Sequence, residues 1–194
     1  MKSKKESIRY VAFLCAINVG GRFVKMDALT KMFSSFGFKN VKTFIQSGNV
    51  VFDSEEMNTK KIEQKIEQGL AKKLGYEVAT MVRTLDEFKA MVKRNPFKTI
   101  SRDAKISVAF MSDKPKDKMK LPLFSAKKDV EIFEINDRDA FCVHHLINGQ
   151  WGYPNQFIEK ALGVKTTVRF WSAIIKLMEF TESTFLNSPA KKSK

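Results

Sequence analysis

The hydrophobic pattern of residues 8–83 restricts the fold more than any other feature of this sequence. Apolar residues recur at helical spacing over 26–36 and 58–75, and four short strand-like runs flank these two segments. The resulting order, β-α-β-β-α-β, is that of the split βαβ or ferredoxin-like unit. In this unit the third strand lies between the first and the second, and right-handed crossovers fix its geometry.

The first predicted strand, Tyr10 to Ile17, is apolar at almost every position. Strands of this kind are covered on both faces, so a second layer must lie on the face that the two helices leave open. That layer is either the second half of the chain or a second copy of it. The residues after 83 provide material for the first alternative, because they begin with a capping box at Thr84 and Glu87 and continue as an α+β unit.

We therefore predict an α+β fold of two packed halves. Residues 1–83 form the ferredoxin-like half, 84–182 form a related α+β unit, and 183–194 form a basic flexible tail. Residues 165–180 are predicted to form one last helix, because apolar side chains recur at helical spacing from Val168 onward. No repeat between the two halves is evident in the residues themselves.

The net charge of +14 suggests a nucleic-acid partner, but the distribution of that charge weakens the interpretation. Residues 1–9, 112–128 and 183–194 carry +3, +4 and +3 of it. Charge that is spread over the two ends and one loop is more often solubilising than part of a binding face. Attraction to polyanions at low salt is expected in either case, so nucleic acid is kept as an alternative partner.

The sequence predicts a cytoplasmic protein. No apolar run approaches the ~18 residues that a membrane span requires, so no membrane partner is predicted. The apolar run behind the basic N-terminus ends in Asn18 without a cleavage site of small residues, so we do not interpret it as a secretion signal. The two cysteines, Cys15 and Cys142, lie in apolar strand-like runs and are typical of buried free thiols in a reducing compartment.

The segment 18-NVGGRFVK-25 lies between the end of a strand and the start of a helix. Backbone N–H groups and the helix dipole favour an anion at such a place, and adjacent glycines allow the chain to form an anion-binding nest. The segment matches neither the dinucleotide-binding nor the P-loop pattern, and we predict no cofactor. A phosphate cradle and a simple turn both remain interpretations of the two glycines.

The predicted topology brings this loop next to the turn 46-QSGN-49, because both emerge at the same end of the sheet. The joint edge is polar, cationic and rich in hydrogen-bond donors, and it has no obvious general base. We therefore predict a binding site for an anionic ligand, such as a phosphate-bearing small molecule. The candidate residues are Asn18, Gly20, Gly21, Arg22, Lys25, Gln46, Ser47, Gly48 and Asn49. The alternative is that the hairpin residues only form the turn.

The loop 149-GQWGYPN-155 is a second candidate patch, with Trp151, Tyr153 and Asn155 as its members. The two aromatic rings are suited to stacking on a base or a partner, and equally to pinning the loop to the core. A module of the RNA-recognition type is disfavoured despite the matching strand order. Its third strand carries aromatic residues in a set pattern that NVVF lacks here.

The only two histidines, His144 and His145, are adjacent on a predicted strand. Consecutive strand residues point to opposite faces, so both cannot ligate one metal ion without distortion. No Cys-x-x-Cys pair accompanies them, and we predict no metal site. Cys142 and His144 share a strand face and are interpreted as structural.

Three stretches of the sequence cover nearly all of the predicted fold. They are YVAFLCAINVGGRFVKMDALTKMFSSFGFKNVKTFIQSGNVVFDS, VRTLDEFKAMVKRNPF and YPNQFIEKALGVKTTVRFWSAIIKLMEF. Together they resemble a mainly bacterial, uncharacterised family, the domain of unknown function 1697. The motifs INVGG, IQSGNVVF and TTVR-W are specific in combination.

The resemblance implies a small cytosolic α+β protein with ferredoxin-like units and no established activity. The family usually has Arg-Gly directly before INVGG, where this chain has Cys15 and Ala16. If that arginine carries the family's role, this member is altered or inactive. The motif residues correspond to positions that the topology also groups, namely Asn18, Gly20, Gly21, Gln46, Ser47, Gly48 and Asn49.

Two alternatives from other classes accompany the binding-module hypothesis. One is an enzyme that acts on a small phosphorylated metabolite at the same edge, with Asp27 as the nearest proton acceptor. An acidic residue in a first turn usually helps to start the helix, which would leave that enzyme without a base. The other alternative is a structural homo-oligomer without a ligand.

Overall fold

The computed structural model describes residues 7–101 and 103–185, which form an α+β protein. Its strands assemble into two large sheets and one small ribbon. Within the described residues, no helix combines the length and the apolar character needed to cross a membrane. In chain order the elements are β1 (Ile8–Leu14), α1 (Met26–Ser35), β2 (Lys39–Phe44), β3 (Asn49–Ser54), α2 (Thr59–Leu74), β4 (Thr80–Thr84), α3 (Leu85–Arg94), β5 (Lys105–Met111), β6 (Leu123–Phe124), β7 (Val130–Asn136), β8 (Asp139–His144), β9 (Leu146–Ile147), β10 (Gln150–Trp151), α4 (Pro154–Leu162), β11 (Thr166–Phe170) and α5 (Trp171–Phe185).

The first half has the element order that the sequence predicts. Its four strands form an antiparallel sheet in the order β2-β3-β1-β4, so β3 lies between β1 and β2. α1 and α2 cover one face of this sheet, in a hydrophobic cluster that joins Tyr10 of β1 to Phe33 and Ile66 of the helices. Asn58 caps the start of α2 with its side-chain oxygen, and Gly75 ends the helix in the left-handed conformation.

The second half repeats the strand order of the first. Its five strands form an antiparallel sheet in the order β11-β5-β8-β7-β6, and α4 packs on one face through Ile158 and Leu162. If β5, β7, β8 and β11 are counted as strands one to four, the order is fourth, first, third, second, as in β4-β1-β3-β2. Residues 112–129 contain no helix at the place where the first half has α1. The halves therefore share a strand order, although the second lacks a counterpart of α1.

The prediction of a single last helix over 165–180 is wrong. Residues Thr166–Phe170 form β11, which pairs with β5, and α5 begins only at Trp171. Threonine, valine and phenylalanine favour a strand here. The helical spacing was misleading because Val168, on the strand, stands three residues before the first residue of the helix.

The second half begins and ends with helices. The capping box predicted at Thr84 and Glu87 forms at the start of α3, where each side chain accepts a hydrogen bond from the other residue's backbone N–H. α5 extends to Phe185, so residues 183–185 of the predicted tail are helical. Residues 186–194 of that tail lie outside the described residues.

The two sheets pack face to face through one hydrophobic cluster. Val11 and Phe13 of β1 belong to it, and Phe13 stacks on Phe110 of β5 with the ring centroids 3.7 Å apart. α3 and α5 add Phe88 and Ile174 to the same cluster. The second layer on β1 is therefore the second half of the same chain, which explains why both faces of this strand are apolar.

Candidate functional site

A cleft of about 470 Å³ opens where the two halves meet. We call it the first cleft. It is lined by residues 14–19 at the end of β1, by Gln46 and Ser47 of the β2–β3 turn, by Asn155 of α4 and by residues 167–169 of β11. All of these segments belong to the stretches that carry the family resemblance.

Arg169 lies at the base of the first cleft, and β11 carries its side chain from the second half into the first. All five of its N–H groups donate hydrogen bonds within the protein. The acceptors are Asn49 Oδ1 at 2.7 Å, Thr167 Oγ1 at 2.8 Å, Val168 O at 2.9 Å, Leu14 O at 2.9 Å and Ser47 O at 2.6 Å. Arg169 thereby ties the end of β1 and the β2–β3 turn to β11.

The charge of Arg169 is not balanced by a carboxylate, since none of its five acceptors is acidic. The side chain is buried, with 8% of the residue exposed. Burial lowers the pKa of the guanidinium to about 10, because removing a charge from water costs free energy. The group is still charged at neutral pH, and a buried cation that is surrounded only by dipoles attracts an anion to the adjacent cleft.

The glycine loop and the hairpin turn meet at the first cleft, as the topology predicts. Asn18 joins them, because its Nδ2 donates to Gln46 O at 2.8 Å and its Oδ1 accepts from Val24 N–H at 2.7 Å. Asn49 Nδ2 donates to Ser47 Oγ at 2.8 Å. Both asparagines therefore use their amide groups to hold the walls of the cleft, and Ser47 keeps its hydroxyl hydrogen to donate.

The outer part of the glycine loop lies outside the first cleft. Gly20 and Gly21 have φ angles of 66° and 81°, a conformation that favours glycine. The guanidinium of Arg22 lies over the ring of Tyr76, 4.2 Å from its centroid, and Lys25 is the N-cap residue of α1. These four loop residues are not among those that line the cleft within the described chain.

The two cysteines are free thiols, and only one of them is fully buried. Burial raises the pKa of the Cys142 thiol to about 12. Cys15 is partly buried, and its Sγ lies 3.6 Å from Thr166 O. Burial, and after it the nearby Glu159 carboxylate, raise the pKa of the Cys15 thiol. Both side chains are therefore protonated at neutral pH.

Cys15 and Ala16 occupy the positions at which the family resemblance implies an arginine and a glycine. Ala16 has a φ angle of 49°, which is the left-handed conformation that suits glycine. With Cys15 in place of the arginine, Arg169 is the one cationic side chain among the described residues that line the first cleft.

A second arginine repeats this arrangement in the opposite direction. Arg83 lies on β4 and crosses from the first half into the second, where its Nη2 donates to Met111 O at 3.3 Å and to Arg138 O at 2.6 Å. Its Nε and Nη2 both donate to Asp139 Oδ1, at 3.1 and 2.8 Å. Met111 ends β5 and Asp139 begins β8, so they correspond to the last residue of β1 and to Asn49.

The sequence contains a signal for this equivalence that pattern reading missed. The tetrapeptides 80-TMVR-83 and 166-TTVR-169 share three of their four residues. Each lies on the fourth strand of its half. Alignment of the two tetrapeptides identifies Arg83 and Arg169 as counterparts, although neither was a candidate residue.

A hydrogen bond in each half extends the equivalence to the helices. The backbone N–H of the first threonine in each tetrapeptide donates to a helix glutamate, to Glu67 of α2 at 2.9 Å and to Glu159 of α4 at 2.8 Å. These two glutamates therefore occupy equivalent positions. One helical turn earlier stand Glu63 on α2 and Asn155 on α4.

In the counterpart of the first cleft, the two buried arginines are paired with carboxylates of the protein itself. This second cleft, of about 890 Å³, is lined by charged side chains that include Lys60 and Arg138. Arg138 Nη1 lies 2.9 Å from Glu63 Oε1, and Lys60 Nζ lies 2.9 Å from Asp113 Oδ2. Burial raises the pKa of Asp139, and its ion pair with Arg83 opposes that rise. Asp139 beside Arg83 corresponds to Asn49 beside Arg169, and Glu63 beside Arg138 corresponds to Asn155 in the lining of the first cleft.

The structure divides the second candidate patch between two sites. Asn155 lines the first cleft, whereas Trp151 and Tyr153 line a groove of about 1160 Å³ on the second half. Trp151 is 37% exposed and Tyr153 is 88% exposed. Lys105 Nζ lies 5.1 Å from the ring centroid of Trp151 and 5.0 Å from that of Phe170. Tyr153 therefore does not pin the loop to the core.

His144 is the last residue of β8, whereas His145 follows the strand, and the two side chains have different partners. His144 Nδ1 lies 2.9 Å from Gly152 O and its Nε2 lies 2.7 Å from Ser107 Oγ. Because a carbonyl oxygen only accepts, Nδ1 carries the hydrogen and Nε2 accepts from the serine. His145 Nε2 lies 3.0 Å from Glu131 Oε2. Among the described residues, no three potential ligands converge to hold a metal ion.

The stability of the protein should decrease with acid partly through His144. Burial lowers the pKa of its imidazole, and the hydrogen bond to Gly152 O opposes that shift only in part. A histidine in an unfolded chain has a pKa of about 6.5. Below that pH the unfolded chain therefore binds a proton that the native state does not. We expect the free energy of unfolding, measured with urea between about pH 7 and pH 5, to fall less steeply in His144→Asn than in the wild type. Equal slopes in the two proteins would contradict this prediction.

The fold and the first cleft define a class: an α+β protein of two topologically equivalent halves with a cleft at their junction. The model of a family described as "Protein of unknown function (DUF1697)" matches residues 8–141, which is more than half of the chain. The protein belongs to the DUF1697 family. The matched residues include two walls of the first cleft, while Asn155 and β11 lie beyond them. No curated protein matches the sequence.

A solved structure supports the fold. The conserved bacterial protein SP0830 from Streptococcus pneumoniae is similar over 90% of this chain and 98% of its own, with a TM-score of 0.63 and 19% sequence identity. At this level of identity the likeness shows the fold alone.

Proposed function

We propose that this protein is a binding module for an anionic, phosphate-bearing ligand, and that the first cleft holds the ligand. One observation carries the proposal: Arg169 is buried beside the first cleft without a carboxylate partner, whereas its counterpart Arg83 is paired with Asp139. The same contrast recurs between Asn155 and Glu63. A phosphate group would supply to Arg169 the negative charge that Asp139 supplies to Arg83.

The electrostatic argument depends on burial. The attraction between a guanidinium and an anion grows as the effective dielectric constant falls, so a partly buried cation acts more strongly than a surface lysine. Arg169 meets this condition at the base of the first cleft. The net charge of +14 adds a longer-range attraction that brings anions toward the protein.

Arg169 would act through its charge, because its N–H groups are already used within the protein. Direct contacts would come from other groups of the cleft. The Ser47 hydroxyl and the amides of Gln46 and Asn155 belong to exposed residues that line it. α4 begins beside them, and its N-cap residue, Tyr153, makes no side-chain capping bond. Pro154 has no N–H, so the N–H groups of Asn155 and Gln156 are the ones left for an anion.

The composition of the first cleft favours binding over catalysis. Among the described residues that line it, only Cys15 and Arg169 are titratable, and neither is a general base at neutral pH. Asp27, the proton acceptor of the enzyme alternative, is exposed in the first turn of α1 and is not part of the lining. The volume of about 470 Å³ lies within the range of roughly 300–1,000 Å³ that is usual for small-ligand sites.

The test of the proposal is the substitution Asn49→Asp. An aspartate at this position would pair with Arg169 as Asp139 pairs with Arg83, so the cleft would lose its unbalanced charge. The substitution also removes the bonds that Asn49 Nδ2 donates to Phe44 O and Ser47 Oγ, so a urea unfolding curve of the variant checks that it is folded. We expect the affinity for inorganic pyrophosphate and for nucleoside monophosphates to fall by about tenfold or more. Isothermal titration calorimetry at about 150 mM NaCl, where exposed charges are largely screened, measures this.

Asn58→Asp is the matched control. It makes the same change in charge at the exposed N-cap of α2, outside the first cleft, where aspartate caps as well as asparagine. This variant should bind the probes as the wild type does. Equal affinity of Asn49→Asp and the wild type, or no binding of any probe by the wild type, would exclude the first cleft as a phosphate site.

A further inference from the structure

The groove lined by Trp151 and Tyr153 joins the first cleft at the start of α4. We call it the aromatic groove, and its lining also includes Lys105 and Lys127. Tyr153 is the N-cap residue of α4, and Asn155, two residues later, lines the first cleft. The two sites therefore meet across a single helical N-terminus.

The same continuity exists on the neighbouring strand. Arg169 faces the first cleft, and the next residue of β11, Phe170, points to the other side. Phe170 is 41% exposed there, and Lys105 Nζ lies about equally far from its ring and from that of Trp151, at 5.0 and 5.1 Å. A cation held between two exposed rings thus adjoins the proposed anion site.

The chemistry of the aromatic groove matches that of a nucleotide strand. Tyr153 is 88% exposed, and within the described chain its ring makes no stacking contact and its hydroxyl no hydrogen bond. Exposed rings next to cationic groups are how proteins bind single-stranded nucleic acid, since every base has a face that can stack. The lysines of the groove outnumber its carboxylates, because Lys105 and Lys127 face only Asp129.

We propose that the ligand is a single-stranded nucleic acid, with one phosphate in the first cleft and a flanking base stacked on Tyr153 and Trp151. This rests on the proposed function, because it assigns the phosphate to the same cleft. The combination of charge and exposed aromatic surface distinguishes this occupant from a second copy of the chain. A second copy carries the same net charge of +14 and would bring like charges together.

Fluorescence anisotropy with labelled oligo(dT) and oligo(U) of about ten nucleotides tests the proposal at about 50 and 200 mM NaCl. Tyr153→Ala should bind the oligonucleotides about tenfold more weakly than the wild type, since a stacked base is lost. Tyr153→Phe keeps the ring and should bind as the wild type does. Asn49→Asp should lose affinity for oligonucleotides and pyrophosphate together, whereas Tyr153→Ala should keep its affinity for pyrophosphate.

The outcomes separate this proposal from the proposed function. If pyrophosphate binds and Tyr153→Ala binds oligonucleotides as well as the wild type, the nucleic-acid assignment is overturned and the anion site stands. If pyrophosphate does not bind and Asn49→Asp leaves oligonucleotide affinity unchanged, both proposals fall. Oligonucleotide binding that disappears equally in all variants at about 200 mM NaCl is general attraction to the basic segments and also overturns the assignment. So does sedimentation showing a dimer that Tyr153→Ala dissociates, if the oligonucleotides do not bind.

Discussion

Replacing Arg169 with alanine should lower the free energy of unfolding by about 3–5 kcal/mol. The side chain is 8% exposed and holds Leu14 O, Ser47 O and Asn49 Oδ1 in place. Without it Ser47 O and Asn49 Oδ1 lose this donor, and Leu14 O keeps only the longer bond from Thr167 Oγ1 at 3.4 Å. Each unsatisfied buried group costs about 1–3 kcal/mol before water enters. The truncation also leaves a cavity between the halves. Urea denaturation at neutral pH measures the change.

Arg94→Ala is the matched control for this prediction. Arg94 Nη1 lies 2.5 Å from Glu134 Oε1, but the two side chains are 39% and 33% exposed. An ion pair at the surface contributes only about 0–1 kcal/mol, so this variant should be nearly as stable as the wild type. If Arg169→Ala loses no more stability than Arg94→Ala, then Arg169 does not tie the two halves together.

Replacing Gly48 with alanine should lower the free energy of unfolding by about 2–4 kcal/mol. Gly48 has a φ angle of 73°, and a Cβ at this position would lie 2.8 Å from Ile17 Cγ2 and 3.0 Å from Leu14 Cβ. The positive φ angle costs about 1–2 kcal/mol for a residue with a Cβ. Crowding of a packed site by the added Cβ costs about 1–3 kcal/mol more. Thermal or urea denaturation detects a change of this size readily.

Gly20→Ala separates the two contributions to the effect at Gly48. Gly20 has a similar φ angle of 66°, and nothing lies within 4 Å of the position that a Cβ would take. Only the cost of the positive φ angle applies in Gly20→Ala, so its free energy of unfolding should fall by about 1–2 kcal/mol. A Gly48→Ala variant as stable as Gly20→Ala would show that the hairpin turn does not pack closely against the end of β1.

The first half was predictable because its signals are local. The helical spacing of Ile62, Ile66 and Leu70 lies within one element, and Asn58 and Gly75 mark its ends. The strand order followed from the β-α-β-β-α-β order of the elements. The meeting of the glycine loop with the hairpin was then a consequence of that order, and the hydrogen bond from Asn18 to Gln46 shows it.

The central residue of the candidate site was not predictable in the same way. Arg169 lies in a stretch whose apolar residues recur at helical spacing. In a helix with that pattern, an arginine is assigned to the solvent-facing side. Its partner Asn49 is 120 residues away in the sequence. No local pattern predicts such a contact. Only the shared T-x-V-R tetrapeptides indicate that Arg169 and Arg83 occupy equivalent positions. The roles assigned to Gly20, Gly21, Arg22 and Lys25 as ligand donors remain predictions.

Arg83 and Arg169 cross between the halves in opposite directions, and the two clefts beside them can differ because they belong to one chain. Each half inserts its arginine into the other, which is the reciprocal contact that a two-fold axis creates between identical subunits. In a homodimer, any substitution appears at both ends of the axis, so both clefts must change together. In a single chain the two ends mutate separately. One interface can therefore carry internal ion pairs that stabilise the contact between the halves. The other can lack carboxylates at the corresponding positions and so remain able to bind an anion.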